Sequence, residues 1–400
     1  MIKPKSCCIV GGGPAGMMLG YLLARRGVSV TVLEKHADFL RDFRGDTVHP
    51  STLIALQQIG LLQRFNELPQ SRINRLSVRM GDVVQTVADF RGLAPFDYIA
   101  LVPQWDLLNL LAEAAKQFPH FTLQMQHEAT ALLHDGDRVI GVNARTPNGE
   151  REFRADLIIA CDGRGSTLRD STSLTVEELG APMDVLWFKL PKPPASNGEL
   201  FGVIGAGTAI VLIDRNDYFQ VAYILPKGSD MELRSAPLEK FRQTLASLVP
   251  ELKDSTAAIQ SWNDVKTLEV KVDRLKTWHQ PGLLLIGDAA HAMSPIGGVG
   301  INLAIQDSIA AANVLAPVLA VGGEPNDALL SQVQQRRLPA VKKVQALQLA
   351  LQNNALSAVL AAKGEAPKIP APIRWLLKFR ILRNIPARII GYGFDREDVE

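Results

Sequence analysis

Three glycines near the start of the chain have the spacing of a dinucleotide-binding turn. Gly11, Gly13 and Gly16 follow an apolar run at 6–10 and precede apolar residues at helical spacing over 17–26. In that setting the first glycine makes the turn, the second lets the backbone approach a pyrophosphate, and the third lets helix and strand pack closely. The helix N-terminus adds free N–H groups and a partial positive charge. The spacing therefore predicts a site for the phosphates of a dinucleotide.

An acidic residue follows where the ribose of such a dinucleotide would be bound. Glu34 ends a β-branched run at 28–34, 18 residues after Gly16. A carboxylate at this place accepts hydrogen bonds from the ribose hydroxyls. The same negative charge disfavours a 2′-phosphate, so the sequence predicts FAD or NAD, rather than NADP, as the bound dinucleotide.

Two further turns carry an aspartate directly after an apolar strand. Asp162 and Gly163 follow one such run, and Asp288 follows the run at 283–286. We expect the carboxylate of Asp288 to reach a ribityl hydroxyl beside the pyrophosphate. The glycines of 295–300 would let the backbone approach a bound ligand closely, because they place no Cβ atoms in the way. The N-terminus of the helix that follows would add N–H groups and a partial positive charge.

With these three motifs in this order and spacing, the chain resembles the class A flavoprotein monooxygenases, the para-hydroxybenzoate hydroxylase-like family of aromatic hydroxylases, over nearly its whole length. The resemblance implies FAD as cofactor, NAD(P)H as transient co-substrate, and O2 and a small phenolic or polyketide-like aromatic compound as substrates. In that family a flavin C4a-hydroperoxide hydroxylates the ring, and the protein places the substrate and excludes water. The residues assigned to the cofactor by the motifs and the resemblance together are Gly11, Gly13, Pro14, Ala15, Gly16, Glu34, Lys35, Arg44, Gln104, Asp162, Gly163, Asp288, Pro295, Gly298, Val299, Gly300, Ile301 and Asn302.

Three of these roles come from the resemblance alone. It places Arg44 near the cofactor phosphates and the incoming nicotinamide nucleotide. It places Gln104 at the start of a helix, bonded to the ribityl region. It gives Asp162 a double role toward FAD and the pyridine nucleotide, although Arg169 is equally well interpreted as a salt-bridge partner of that aspartate.

The substrate pocket is expected between the flavin and an antiparallel sheet. Its predicted lining residues are Phe201, Val211, Tyr223 and Pro295. Tyr223 and His49 are candidates for assisting substrate deprotonation, but no residue is assigned as catalytic. Packing in the core is the alternative role for each lining residue.

Two different patterns describe the elements that must position these residues. Strand–helix–strand patterns predict a parallel sheet, and hairpin patterns around turn residues predict an antiparallel one. The predicted fold is mixed α/β (α+β), with a discontinuous Rossmann-like FAD-binding domain, an antiparallel substrate sheet that covers it, and a helical C-terminus. The predicted boundaries are 1–75, 100–180 and 270–345 for the FAD-binding domain, 76–99 and 181–269 for the substrate-binding sheet, and 346–400 for the helical segment.

Composition excludes several other classes of function. The 43 Lys and Arg residues nearly balance the 41 Asp and Glu residues, and a net charge of +2 over 400 residues argues against nucleic-acid binding. Three cysteines fit a reducing compartment, and the cysteines and histidines lack the spacing of a metal site. Asp288, His291 and Ser294 lie too close in sequence to converge as a hydrolytic triad. We therefore expect a cytoplasmic enzyme, monomeric or dimeric, without a transmembrane helix.

Two alternatives stay open among flavoproteins. A reductase or dehydrogenase of the same superfamily would share the FAD motifs, and O2 consumption matched to NAD(P)H would exclude it. A membrane-associated ubiquinone-pathway hydroxylase would use the basic amphipathic segment 367–390 to contact an anionic membrane surface. Packing of this segment on the FAD-binding domain is favoured, because the closing segment of the family usually packs. A flavin-dependent halogenase is disfavoured, because its Trp-x-Trp-x-Ile-Pro motif is missing.

Overall fold

The computed structural model describes residues 4–40, 47–194, 202–215, 217–364 and 371–400. In chain order, its strands are β1 (Ser6–Val10), β2 (Ser29–Glu34), β3 (Thr47–Val48), β4 (Ser71–Ile73), β5 (Arg75–Met80), β6 (Val83–Asp89), β7 (Ile99–Leu101), β8 (Phe121–Met125), β9 (Glu128–Asp135), β10 (Arg138–Thr146), β11 (Gly149–Arg154), β12 (Leu157–Ala160), β13 (Val176–Glu178), β14 (Met183–Pro191), β15 (Gly202–Ile204), β16 (Ala209–Asp214), β17 (Tyr218–Pro226), β18 (Lys266–Leu268), β19 (Asp273–Leu275), β20 (His279–Gln280) and β21 (Leu283–Leu285).

The α-helices are α1 (Pro14–Arg25), α2 (Pro50–Gln58), α3 (Leu62–Asn66), α4 (Gln104–Ala115), α5 (Thr167–Asp170), α6 (Asp230–Ser235), α7 (Leu238–Leu248), α8 (Gly300–Leu319), α9 (Asp327–Leu351), α10 (Ser357–Ala361), α11 (Ala371–Leu376) and α12 (Arg380–Tyr392). Short 3₁₀ turns lie at Pro250–Leu252, Asp254–Ala258, Trp262–Asp264, Gly287–Ala289 and Ile296–Gly298, and a π turn lies at Gln352–Leu356.

A six-stranded sheet in the order β20-β21-β12-β1-β2-β8 supports the N-terminal glycine turn. All of its strand pairs are parallel except the edge pair β20–β21. The strands β1 and β12 are buried over nearly their whole length, as expected for parallel strands covered on both faces. Because β2 pairs with one side of β1 and β12 with the other, the order of the strands reverses at β1. Ligands of open α/β sheets bind at the carboxyl ends of strands at such a point.

A second sheet of seven strands, in the order β18-β14-β17-β16-β15-β5-β6, is antiparallel except for the pair β15–β5. Alternate residues of its strands point to opposite faces. On one face, Phe219, Val221 and Tyr223 pack with Phe241 and Leu245 of α7. The other face contributes to a separate cluster, described with the site below. The helix α7 therefore covers only one face of this sheet.

The long helix α8 passes through the first core. It contacts α1 and α9, and most of its side chains are buried. Residues Ile296–Leu319 are long and apolar enough to cross a membrane, but 83% of the most apolar stretch is buried inside the protein. This helix is therefore the core helix of a packed fold.

The sequence predicts the main elements correctly, including the mixed α/β class. The predicted hairpin patterns correspond to β5–β6, β10–β11 and β16–β17. Between β21 and α8 the chain forms two 3₁₀ turns joined by an irregular segment. In the second turn Gly297 and Gly298 adopt φ angles of 80° and 62°. The helix α8 begins only at Gly300.

Candidate functional site

The three sequence motifs converge at the carboxyl ends of three neighbouring strands. The register pairs Val10 with Ala160 and Ala160 with Leu285, so the turns after β1, β12 and β21 begin side by side. A Cβ atom added at Gly11 would lie 2.4 Å from the carbonyl oxygen of Cys161. One added at Gly287 would lie 3.2 Å from the Cβ of Ala15. The structure therefore brings together turns that are more than a hundred residues apart in the chain.

The glycines of the first turn meet different surroundings. Gly11 has a φ of +103°, and a Cβ added at Gly16 would lie 2.0 Å from the carbonyl oxygen of Gly11. Both glycines are therefore required by the protein's own packing. At Gly13, by contrast, an added Cβ would meet no described atom within 4 Å. Gly13 precedes α1, and within the described chain no side chain caps this helix end. A space lined by backbone N–H groups is what a bound pyrophosphate requires.

Glu34 lies beside this turn, as its position at the end of β2 predicts. Its carboxylate accepts hydrogen bonds from the backbone N–H of Gly12 at 2.9 Å and of His36 at 3.0 Å. The side chain is largely buried, whereas the neighbouring Lys35 is exposed. The geometry fixes the acidic group next to the space at Gly13, and its role toward a ribose stays a prediction.

Asp162 is bonded within its own motif. It accepts a hydrogen bond from the Ser166 hydroxyl at 2.6 Å and one from the backbone N–H of Leu168 at 3.3 Å. Burial raises the pKa of Asp162, and these hydrogen bonds oppose that effect. Arg169, the alternative partner, instead forms an ion pair with Asp273 at 3.5 Å. Among the described residues Arg169 therefore forms no direct salt bridge with Asp162, although its positive charge lowers the pKa of that aspartate.

Arg164 connects the second motif to the third, which the sequence analysis did not foresee. Its Nε donates to Asp288 at 2.9 Å, and both side chains are about 30% exposed or less. Its Nη1 is buried and, among the described residues, has no hydrogen-bond partner. A buried donor without a partner among the described residues fits an oxygen-rich ligand. The sequence offered a clue, since Arg164 follows β12, the strand next to β21.

Hydrogen bonds connect the first turn of α8 and the loop before it to the start of α2. Asn302 accepts hydrogen bonds from the His49 backbone N–H at 3.0 Å and from the Thr52 hydroxyl at 2.7 Å. The Thr47 hydroxyl donates to the carbonyl oxygen of Gly298 at 2.8 Å. The side chain of Asn302 is thus used inside the protein, and only its backbone N–H is left for a cofactor. The resemblance gave no indication of this.

The remaining residues of the third motif divide into buried and open positions. Ile301 is buried in the core and Val299 is half-buried against that core, so their contact with the cofactor stays a prediction. A Cβ added at Gly300 would meet no described atom within 4 Å. Gly300 therefore opens α8 into free space, as a ring bound at the helix N-terminus would need.

Beneath this motif lies a buried charged network that the sequence analysis also missed. Asp307 accepts hydrogen bonds from the Gly287 backbone N–H at 3.0 Å, from His291 Nε2 at 2.6 Å and from Arg337 Nε at 3.0 Å. Burial alone would raise the pKa of Asp307, but the charges and hydrogen bonds of His291 and Arg337 bring it below its ordinary value. The network holds the turn after β21, and His291 is a packed residue within it. An aspartate inside the apolar α8 was the available sequence clue.

Proteins of known family share the sequence that forms this geometry. Residues 5–348 match the family model described as "FAD binding domain". The 6-methylpretetramide 4-monooxygenase of Streptomyces rimosus is 31% identical over 387 residues, which cover 94% of this chain and 91% of that protein. The chain belongs to the class A FAD-dependent monooxygenases. The described residues fit the cofactor of this family, because Gly13 and Gly300 border open space where the pyrophosphate and the ring would need it.

Solved structures show the same fold for this class A monooxygenase. The p-nitrophenol 4-monooxygenase PnpA from Pseudomonas putida DLL-E4 is 19% identical with a TM-score of 0.78, and the alignment covers 98% of this chain and 100% of that chain. PqsL of P. aeruginosa in complex with 2-aminobenzoylacetate is 21% identical with a TM-score of 0.74, over 89% of this chain and 98% of that chain.

Two of the predicted site residues, Arg44 and Phe201, lie outside the residues that the structure describes. Gln104 begins α4, as expected. It is connected to the third motif through the strands β7 and β3. Leu101 of β7 pairs with Thr47 of β3, and the Thr47 hydroxyl donates to the carbonyl oxygen of Gly298.

The side chains predicted to line the substrate pocket lie on two different faces of the seven-stranded sheet. On one face, Val211 packs against the same hydrophobic cluster as Ile296 of the third motif. Tyr223 lies on the opposite face, 5.3 Å from Phe241 of α7 between ring centroids. It therefore does not line the predicted pocket, and burial raises its pKa, which disfavours a phenolate base. Sequence alternation showed which residues share a face but not which face meets the flavin. Pro295 immediately precedes Ile296, at the edge of the same space.

The surroundings of His49 do not suit a group that accepts a proton from a substrate. Its Nδ1 lies 2.7 Å from the carbonyl oxygen of Ile390 in α12, so Nδ1 carries the proton. Burial lowers the pKa of His49 to about 4, which leaves it neutral at neutral pH. The residue links α12 to the first turn of α8 and belongs to the scaffold of the site.

Proposed function

We propose that this monooxygenase hydroxylates a fused-ring phenolic compound of the polyketide type, with NAD(P)H and O2 as co-substrates. The observation that carries the proposal is the convergence of three turns opposite an apolar sheet face. Support for the substrate class comes from the Streptomyces rimosus relative, whose name describes action on 6-methylpretetramide. We place the enzyme in the cytoplasm, where NAD(P)H is available.

The proposed FAD site uses the open positions of the three turns. The N–H groups after Gly13 would hold the pyrophosphate, and Glu34 would accept the ribose hydroxyls. Arg164 and Asp288 flank the ribityl side, and the N-terminus of α8 faces the ring. When bound, FAD supplies electron transfer from NAD(P)H and the activation of O2.

The proposed substrate space lies between the third motif and the sheet face that carries Val211. On this face Val211 pairs with Ala222, and Ala222 pairs with Trp187. Gln220 is two residues from Ala222 and therefore points to the same side. Trp187 Nε1 and Gln220 Nε2 are buried N–H donors with no hydrogen-bond partner among the described residues.

These donors have a function if the substrate supplies oxygen acceptors. A buried donor without a partner costs stability, so such groups are rare unless a ligand completes them. A phenolic polyketide carries several carbonyl and hydroxyl oxygens around an apolar ring system. The apolar lining would exclude water, and the two donors would fix which edge of the ring faces the cofactor.

The test is a turnover experiment with isotopically labelled O2. Purified enzyme should be yellow, and a panel of fused-ring phenols should stimulate NAD(P)H oxidation. One labelled oxygen atom should appear in the product for each NAD(P)H consumed. NAD(P)H oxidation that reduces a substrate without incorporating label would instead establish the reductase alternative.

A variant connects this activity to the assigned site. Asp288→Ala should retain less FAD after gel filtration than the wild type, because it removes the predicted ribityl partner. Asp395→Ala changes an aspartate whose side chain pairs at the surface with Lys343 and serves as the control. Full FAD occupancy in Asp288→Ala would contradict the assignment of Asp288.

A further inference from the structure

The helix α12 buries only part of its apolar surface. Ala387 and Ile390 pack in a core cluster against β6 and the adjoining loop, and the Asn384 side chain donates to the carbonyl oxygen of Asp89. Ile381, by contrast, is 78% exposed and Ile385 is 53% exposed. These two residues lie four apart, hence on one face of the helix. A surface helix of a globular protein normally buries such side chains against its core.

The exposed apolar surface continues into α11 and the turn after it. Trp375, Leu376 and Phe379 are 58%, 44% and 49% exposed, and the rings of Trp375 and Phe379 lie 5.0 Å apart. Large exposed apolar patches mark binding surfaces. We call these five side chains the C-terminal apolar patch: Trp375, Leu376, Phe379, Ile381 and Ile385.

Basic residues accompany this patch in the sequence, which contains no acidic residue from 366 to 394. The basic residues of α11, α12 and the turn between them are Arg374, Lys378, Arg380, Arg383 and Arg388. Arg383 lies 3.8 Å from the Asp89 carboxylate and Arg380 donates to the Arg91 carbonyl oxygen, whereas Arg374, Lys378 and Arg388 are exposed. In the whole chain basic and acidic residues nearly balance, at 43 and 41. The positive charge is therefore concentrated where the apolar side chains are exposed.

A cavity lies at the far end of the same helix. Its volume is about 600 Å³, and Arg388, Tyr392 and Arg396 line it from the C-terminal side. Arg396 forms an ion pair with Asp398 at 3.0 Å, whereas Arg388 is exposed. The cavity places two guanidinium groups beside a space large enough for an anionic headgroup.

We infer that the C-terminal apolar patch docks on an anionic lipid surface. Aromatic and aliphatic side chains flanked by Lys and Arg are the features by which an amphipathic helix lies in the interface of a membrane. A second copy of the chain is the competing occupant. In a twofold dimer through this patch the same surface would face itself, which brings basic side chains against basic side chains. Anionic lipid supplies the opposite charge, so charge complementarity favours the lipid.

Docking would also bring lipid close to the elements of the site. The carbonyl oxygen of Ile390, in α12, lies 2.7 Å from His49, and the His49 backbone N–H bonds to Asn302 of α8. The surface and the third motif are thus two hydrogen bonds apart. The proposal does not depend on the substrate class proposed above, because lipid binding is measured without turnover.

Co-sedimentation with vesicles tests the docking directly. The full-length, FAD-loaded protein should sediment with vesicles of phosphatidylglycerol and phosphatidylcholine in equal parts, and far less with phosphatidylcholine alone. Raising the salt concentration should release it, because exposed charges are screened. Each basic residue near an anionic surface changes the partition by about fivefold, so Arg374→Gln with Lys378→Gln should weaken binding by about 25-fold.

Variants distinguish the patch from unspecific adhesion. Ile381→Asp with Ile385→Asp should abolish vesicle binding, whereas Met231→Asp, on α6 and 83% exposed in the wild type, should not. Circular dichroism and thermal unfolding establish that the variants are folded. Insertion of Trp375 should shift tryptophan emission to shorter wavelength, and Trp375→Phe should lose that shift while still sedimenting.

Three outcomes would overturn the proposal. Equal binding to both vesicle types would remove the role of charge. Absence of binding to the anionic vesicles would remove the lipid altogether. A dimer in analytical ultracentrifugation that dissociates in Ile381→Asp with Ile385→Asp, without vesicle binding by the wild type, would assign the patch to a second copy of the chain.

Discussion

The proposed cofactor site is shaped by backbone, and the proposed substrate site by side chains. After β1, β12 and β21, glycines allow close approach of the backbone and leave N–H groups accessible, and a buried charged network lies beneath them. The seven-stranded sheet instead presents an apolar face with two donors, Trp187 Nε1 and Gln220 Nε2, that have no hydrogen-bond partner among the described residues. A scaffold of the first kind suits one constant cofactor. A surface of the second kind can change its ligand through single side chains without altering the backbone.

The largest expected effect breaks the support of the cofactor side. Asp307→Asn removes the charge that compensates the fully buried Arg337, 3.0 Å away. Breaking a buried pair on one side costs about 3–5 kcal/mol. We expect that loss in the free energy of unfolding measured by urea denaturation, together with weaker FAD retention. For the stability measurement Asp288→Asn is the control, because its pair with Arg164 is about 30% exposed and worth about 0–1 kcal/mol. Similar losses in the free energy of unfolding in the two variants would contradict the role of burial.

The second prediction separates packing from ligand contact within one turn. Gly11→Ala places a methyl group 2.4 Å from the Cys161 carbonyl oxygen at a φ of +103°, and we expect a loss of about 2–4 kcal/mol in stability. Gly13→Ala meets open space and should unfold at the wild-type temperature in the absence of FAD. Its FAD affinity should nevertheless fall, which equilibrium dialysis would measure. Unchanged affinity in Gly13→Ala would show that no phosphate lies there.

These two glycines also show how far sequence reasoning reaches. The spacing of Gly11, Gly13 and Gly16 predicts a turn and a ligand because backbone sterics have few solutions. The predicted position of Tyr223 in the pocket was wrong. A strand pattern shows which side chains share a face, but tertiary packing decides which element covers that face. Asp307 was missed for a related reason, since its partner Arg337 is brought near only when α8 and α9 pack.

The third prediction concerns the junction between the two sides. His49 has a pKa of about 4 in the folded protein and about 6.5 when unfolded, because burial disfavours its charged form. As the pH falls, His49 therefore binds a proton in the unfolded chain before it does so in the folded protein. The stability that is present above pH 6.5 is lost as the pH falls toward 4. The loss should reach about 3 kcal/mol. His49→Asn retains a donor for the Ile390 carbonyl oxygen and should flatten the dependence in this window. An identical pH profile in that variant would assign the titration to another group.

The smallest expected effect sharpens the substrate side. Gln220→Leu removes a buried N–H without a described partner, so the enzyme without substrate should be equally stable or more stable by about 1 kcal/mol. With substrate bound the same N–H would be paired, so the variant should raise KM by about tenfold, the loss of one hydrogen bond. Tyr223→Phe, which removes one polar atom from the opposite face, should leave KM unchanged. A gain in stability with a loss in affinity is the signature of a donor kept for a ligand, and a loss of both would instead make Gln220 a structural residue.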